Sequence, residues 1–344
     1  MIKPKAPSTE SSPFNFSINK TKSYIFQPFI SNSNNQVSFR FRMSHDSLPP
    51  LPENRIVLAV GTVGVDFLAT VASYPDPDDK IRTTSLKVQG GGNAGNALTC
   101  AARLGLSPRL ISKVANDTQG RGILEELQAD GVDTSSVVVS EEGNSPFTYI
   151  IVDNETKTRT CIHTPGYPPM IPSNLSQTSL SSALDGARML YLDGRIHETA
   201  LLVAQEAARK NVPILVEGER IREGLDDLLK LADYAICSAK FPQASHLFFY
   251  EPLPVTKLRA NGVGTVCGRL FVGTAEKVPP SELQDTTGAG DSFIGAVLYA
   301  ICSNMPPEKM LPFAAQVAAT CCRAVGARTG LPHCTDARLA SFLS

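Results

Sequence analysis

From Ile56 onward the chain alternates short, continuous apolar runs with amphipathic stretches, and that alternation leaves few folds open. Ile56 to Val60 ("IVLAV") is too short and too uniformly apolar for a surface helix, and it reads as a strand buried on both faces. Asn93 to Leu104 follows as a helix with Ala97, Cys100, Ala101 and Leu104 on one face. Further strands are expected at Arg109 to Val114, Met189 to Leu192, Val212 to Val216 and Tyr234 to Cys237. Helices are expected at Gln119 to Asp130, Glu198 to Lys210 and Arg222 to Leu231. Strands and helices in alternation build a mainly parallel sheet with helices on both faces, a three-layer α/β domain. Two stretches break the rhythm. Lys80 to Gln89 and Phe147 to His163 alternate polar and apolar residues, the second turning at "DNETKT", so a small β lid is expected to stand on the main sheet.

The chain of 344 residues is 42% hydrophobic, enough for the core of one large domain, expected over 51–344. A net charge of −1 leaves no basic field to hold nucleic acid or an anionic membrane surface. No apolar run approaches the length of about eighteen residues that a spanning helix needs. Eight cysteines are scattered with no Cys-x-x-Cys pair and no secretory signal, which points to a reducing, intracellular compartment. Residues 1–50 differ in kind from the rest. The first 42 carry eight Ser, six Lys or Arg and a single acid, Glu10. This bias is that of an organelle transit peptide, which would place the protein in a plastid. A disordered extension before a start at Met43, with a cytoplasmic protein, fits the same residues.

The stretch Asp285 to Phe293, "DTTGAGDSF", stands at the mouth of an apolar helix pattern in which Phe293, Ala296, Val297, Ala300 and Ile301 share a face. "GAGD" therefore falls in the first turn, where backbone N–H groups have no intrahelical acceptor. Gly288, Ala289 and Gly290 carry almost no side chain, so a phosphate can approach those N–H groups and the positive end of the helix dipole. A carboxylate beside a phosphoryl group is out of place unless it takes a proton, and Asp291 is placed to act as general base toward an attacking hydroxyl. A glycine turn followed by an Asp at a helix start, with no ligand, uses the same residues.

"DTTGAGDSF" resembles a signature of the PfkB, or ribokinase-like, carbohydrate kinase family, and "GGGNAGNALTCAARLG" at Gly90 to Gly105 resembles its other signature. The similarity runs from about Ile56 to Pro332, and "YLDGR" and "VEGERIREGLDDLL" are most similar to the ketohexokinase branch. The resemblance implies the three-layer ribokinase-like fold and transfer of the γ-phosphoryl group of ATP to a sugar hydroxyl, with Mg2+ and, in many members, K+. It implies that Asn93 and Asn96 contact sugar hydroxyls, a role their paired donors and acceptors suit, with Gly91 and Gly92 allowing close approach. Asp66, expected at the end of the first strand, would accept hydroxyl hydrogen bonds, and Arg159 would reach from the lid hairpin toward the phosphate. Thr287, Gly288 and Gly290 would face the nucleotide, while Asp285 and Thr287, with backbone near Ala324 and Gly326, would hold a monovalent cation. A homodimer joined through the β lid is a further expectation. Each of these residues has a plainer use: Asp66 as a turn carboxylate, Arg159 as a solvated cation beside Lys157, Asp285 and Thr287 as capping groups.

"GGGNAGN" is not a dinucleotide fingerprint, because lid residues Lys87 to Gln89 precede it instead of the first strand of a βαβ unit. His197 has no second His at metal-ligand spacing, so zinc is not expected. Two departures from the family pattern stand out. Ser238-Ala239-Lys240-Phe241 replaces an Asn-x-x-Glu motif, so magnesium would be held mostly through water. After Phe241 a helix–strand unit of roughly 20 residues is missing, its length set by what such a crossover requires. "SHLFFYE" is a candidate substitute strand, without the glycine turn that borders the nucleotide. A nucleoside kinase of the same fold, and a binding or regulatory protein that has lost turnover, are the competing readings.

Overall fold

The computed structural model describes residues 53–237 and 271–343, and the backbone of 22–28, 238, 248–249, 256–260 and 264–270. Strand β1 (Lys22–Pro28) comes first, then β2 (Ile56–Val60), β3 (Gly64–Val71) and β4 (Ser85–Gly91). Helix α1 (Asn93–Arg103), β5 (Ser107–Ala115), α2 (Thr118–Ala129) and β6 (Val137–Ser140) continue the alternation. A hairpin of β7 (Phe147–Asp153) and β8 (Arg159–Thr164) interrupts it. The alternation resumes with α3 (Gln177–Leu184), β9 (Met189–Leu192), α4 (His197–Arg209), β10 (Ile214–Gly218), α5 (Leu225–Leu229) and β11 (Tyr234–Ser238). Strands β12 (Phe248–Phe249), β13 (Thr256–Ala260) and β14 (Gly264–Thr274) run antiparallel to their neighbours, and α6 (Ala289–Cys302), α7 (Pro307–Cys321) and α8 (Ala340–Leu343) follow.

Six strands pair in parallel in the order β11-β10-β9-β2-β5-β6. Every residue of β9 and β10 is buried, as a sheet covered on both faces demands. Alternate residues serve different layers. Val57, Ala59, Met189, Tyr191 and Leu215 pack with Leu98 of α1, Val297 of α6 and Phe313 of α7. Leu58, Val60, Leu190, Leu192, Ile214 and Val216 pack with Leu180 of α3, Val203 of α4 and Leu228 of α5. The three-layer α/β architecture is thus the one the alternation requires.

The lid is a separate sheet in the order β4-β3-β7-β8. Its inner face carries Asp66, Leu68, Ile150 and Val152, all buried. Its outer face carries Leu86, Val88, Tyr149 and Ile162, each at least half exposed. Asp66 requires a correction: it lies on β3, in the lid, and not at the end of the first strand. The parallel strand stops at Val60, and the chain turns through Gly61 to Val63 into a strand that pairs with β4 and β7. In "AVGTVGVDFLATV" Thr62 is the one polar residue of that turn, too little to break the apolar run, so β3 is hidden in it.

Between β11 and β14 lies β1, antiparallel to both, with Phe26 opposite Ala235 and Leu270. Part of the N-terminal extension thus takes the place beside β11, the strand after which the helix–strand unit was expected to be missing. Apart from Lys22–Pro28, residues 1–52 lie outside the described residues, and with them the expected leader and the alternative start at Met43. So do 239–247, 250–255 and 261–263, where the missing unit was expected; of "SHLFFYE", Phe248–Phe249 is described as a strand.

Candidate active site

In a parallel sheet the crevice for ligands opens at the carboxyl ends of the strands. Here that edge collects the turn after β2, the "DGR" turn after β9 and the end of β10, beneath the N-termini of α1 and α6. The α6 end begins at Gly288, with φ +75, a region that strains any residue with a Cβ. A Cβ there would also lie 2.5 Å from that of Ala327. At Gly290 a Cβ would meet nothing within 4 Å, so the first turn faces open space. The turn before it is stapled by Asp285, which is buried: Oδ1 accepts the Thr287 N–H at 2.9 Å and the Thr287 hydroxyl at 2.8 Å, and Oδ2 accepts the Gly326 N–H at 2.9 Å. Asp285 and Thr287 therefore come together, but the carboxylate is already met by these donors.

Asp291 is half-buried in the first turn of α6, and Nδ2 of Asn96 donates to its Oδ2 at 2.8 Å. Burial pushes its carboxyl up to about 6, against the Asn96 hydrogen bond and the charges of Arg195 and Arg159, with Glu219 adding to the rise. On the α1 side, Asp66 is buried and pushed up to about 7, chiefly by burial, which outweighs the charge of Arg328. Gly91 is required here, because its Cβ would fall 2.3 Å from the Asp66 carboxyl. Gly92, at φ +84, leaves no room either, since its Cβ would sit 2.5 Å from Cα of Val63. Asn93 turns the other way, its Nδ2 donating to Oε1 of Glu217 at 3.1 Å. Arg159 reaches from β8 to the hydroxyl of Thr286 at 3.2 Å, which brings the lid hairpin over the turn that leads into α6.

Sequence reasoning missed four contributors. Arg328 is buried and donates through Nε to Oδ1 of Asn96 at 3.0 Å, through Nη2 to the Gly91 carbonyl at 3.1 Å and through Nη1 to Glu126 at 3.3 Å. Glu126 in turn accepts the Gly90 N–H at 2.6 Å. Asp193 accepts the Thr62 N–H at 2.6 Å and its hydroxyl at 2.9 Å, and burial raises its carboxyl. Arg195 pairs with Glu219 at 2.9 Å. Among the described residues no group of three or more His, Cys, Asp or Glu is placed to hold a metal ion. No helix among them is long and apolar enough to cross a membrane.

The pattern that defines the pfkB family carbohydrate kinases matches residues 54–240 and 264–334, which include every site residue above. The chain belongs to that family. Its match breaks over 241–263, the stretch where the helix–strand unit was expected to be missing. Ketohexokinase of Mus musculus is 27% identical over 295 residues, spanning 78% of this chain and 97% of the mouse protein. Ribokinase of Mus musculus is 26% identical over 312 residues, spanning 84% and 96% of the two chains. The structure of Arabidopsis thaliana ribokinase, complexed with ribose and ATP, shares the fold with a TM-score of 0.60 at 19% identity, covering 81% of this chain and 96% of that one. The family and fold expected from the two signatures are therefore those of this pfkB kinase chain.

Proposed function

We propose that this chain transfers the γ-phosphoryl group of ATP to a hydroxyl of a sugar, with Asp291 as general base. One observation carries the reading: the 2.8 Å contact between Asn96 and Asp291 joins a residue of the glycine-rich sugar signature to the carboxylate of the phosphate cradle. In the reaction the acceptor hydroxyl gives its proton to the Asp291 carboxylate while its oxygen bonds to the γ-phosphorus. The bond from that phosphorus to ADP breaks, and its electron pair leaves with ADP. A carboxyl held near about 6 is ionised at neutral pH yet a better base than an ordinary aspartate.

The first-turn N–H groups of Gly288 to Asp291 face the charge on the transferred group. Asp66, Asn93 and Asn96 hold the sugar hydroxyls, Gly91 and Gly92 keep Cβ atoms out of their way, and Arg159 adds positive charge from the lid. Thr287 and Gly290 border the nucleotide phosphates. Magnesium, when bound, would supply charge neutralisation on those phosphates, held mostly through water. Asp285 is satisfied by its three donors, and no step is assigned to a monovalent cation. The exposed apolar outer face of the lid supports a second copy of this chain as partner.

The test is ADP release from Mg-ATP by the purified chain against ketoses, aldopentoses and nucleosides, with Asp291→Asn as control. Similarity to ketohexokinase over nearly the whole mouse protein puts ketoses first. Turnover with nucleosides alone would replace the sugar by a nucleoside, and ligand binding without turnover would make the chain a binding protein.

A further inference from the structure

Glu217 is a buried carboxyl for which the transfer scheme has no task. It is the penultimate residue of β10, on the face covered by α1 and α6, since it shares the parity of Leu215. It is 8% exposed, and both oxygens are engaged. Oε1 accepts Nδ2 of Asn93 at 3.1 Å, and Oε2 accepts the hydroxyl of Tyr191 at 2.8 Å. Tyr191 is fully buried, so its hydroxyl has no solvent to turn to and anchors the carboxyl from β9.

We propose that Glu217 is a positioning residue of the sugar subsite: clamped by Tyr191, it fixes the carboxamide of Asn93. The inference rests on the reading above, in which Asn93 contacts the sugar. A carboxamide offers donors on one side and an acceptor on the other, and a flip exchanges them. With one Nδ2–H committed to Glu217, Asn93 presents a ligand with one pattern instead of two.

The charge of this carboxyl matters because an anionic phosphoryl group must come close. The titratable groups facing it are Asp291 from α6, Asp193 and Arg195 from the turn after β9, and Tyr191 from β9; Asn93 of α1 is neutral. Burial first, then the charges of Asp291 and Asp193, push Glu217 up to about 8, against the Tyr191 hydrogen bond and Arg195. Near neutral pH it keeps its proton, which the Tyr191 oxygen at 2.8 Å accepts in that state, and Asp291 is the charged member of the two. Above about 8 a second anion appears whose charge adds to that of Asp291 and opposes the incoming phosphates.

The experiment measures kcat, sugar KM and the kcat/KM for ATP of the full chain against pH, for wild type, Glu217→Gln and Glu217→Ala, with melting curves as a check of folding. Glu217→Gln imitates the protonated carboxyl, so it is expected to stay within ~3-fold of wild type near neutral pH and to lose the alkaline fall in kcat/KM. Glu217→Ala releases Asn93 and is expected to raise sugar KM ~10-fold at every pH with a smaller change in kcat. An unchanged KM in a folded Glu217→Ala, or a Glu217→Gln profile that falls at alkaline pH as wild type does, overturns the inference while leaving an active kinase. Should Glu217→Ala fail to fold, the Glu217→Gln profile decides alone. A wild-type chain that phosphorylates none of the acceptors overturns the kinase reading and this inference with it.

Discussion

The carboxamide of Asn96 is held from both ends: its Nδ2 donates to Oδ2 of Asp291 at 2.8 Å while its Oδ1 accepts Nε of Arg328 at 3.0 Å. One side chain of α1 thereby ties the first turn of α6 to the loop that carries Arg328, so the proposed base has a fixed direction before any substrate arrives.

Replacing Asp291 by Asn keeps the size of the side chain and removes its basicity. Turnover is expected to fall at least ~100-fold, the scale of a lost general base, with sugar affinity and melting temperature close to wild type. Because the acid form of Asp291 cannot accept a proton, wild-type kcat/KM should rise with pH through about 6, ahead of the alkaline fall assigned above to Glu217. An Asp291→Asn chain with wild-type turnover, or a wild-type profile flat across that range, would remove Asp291 from the mechanism.

Asp66 sets function against stability. Its folded carboxyl sits near about 7, above the ordinary 3.8, chiefly because it is buried. An acid raised on folding favours the fold fully below its ordinary value, and that contribution is lost as pH climbs toward about 7. The interval corresponds to a cost on the order of 4 kcal/mol at alkaline pH. Asp66→Asn is therefore expected to raise the melting temperature at pH about 8 but not at about 4, while weakening sugar binding ~10-fold or more. Calorimetric titration with the preferred sugar, together with melts at both pH values, checks the two halves separately.

Much of this site was legible because its chemistry is local. "GAGD" lies at a helix start, where spacing alone points to an anion cradle, and Asn93 and Asn96 lie three apart in the first turns of another helix, the proposed sugar role there coming from the resemblance of their signature. Arg328 and Glu217 were not legible. Each acts across long sequence separations, 232 residues to Asn96 and 124 to Asn93, and nothing near "GARTGLP" or "ILVEG" marks a partner. The same holds for the fold. Strands β9 and β2 were bounded by their apolar runs, whereas β3 was absorbed into β2 because a lone glycine turn between two buried strands leaves no polar signal.

Arg328 is a guanidinium 2% exposed, hydrogen-bonded to Asn96, the Gly91 carbonyl and Glu126. Arg328→Met would leave the two buried acceptors without donors, at a cost of ~3 kcal/mol or more. Denaturant melts should show that loss. Its kinetic trace should be a raised sugar KM, because both stranded acceptors belong to the glycine-rich stretch.

Leu86, Val88, Tyr149 and Ile162 form an apolar outer face on the lid that is at least half exposed among the described residues. If a second copy covers it, wild type should run as a dimer in light scattering and Tyr149→Lys as a monomer, since a charge at the centre of an apolar contact is costly to bury. Wild type that stays monomeric at high concentration would leave the lid without this role.

The N-terminal strand offers the sharpest structural test. β1 is paired along its length with β14 on one side and over Ser23 to Phe26 with β11 on the other, so it is an interior strand of the ten-stranded sheet and not an edge. Removing it would expose the N–H and C=O groups of two strands at once and open the sheet beside β11, whose neighbour β10 carries Glu217. A chain begun at Met43 lacks this strand. It is expected to melt ~10 °C or more below the full chain, at about 2–4 °C per kcal/mol for a domain of this size. A synthetic peptide of residues 20–30 added in excess should restore part of the loss by mass action, through binding the folded chain only. Equal melting temperatures for the two chains would show that the sheet is complete without β1 and that the extension is dispensable to the fold.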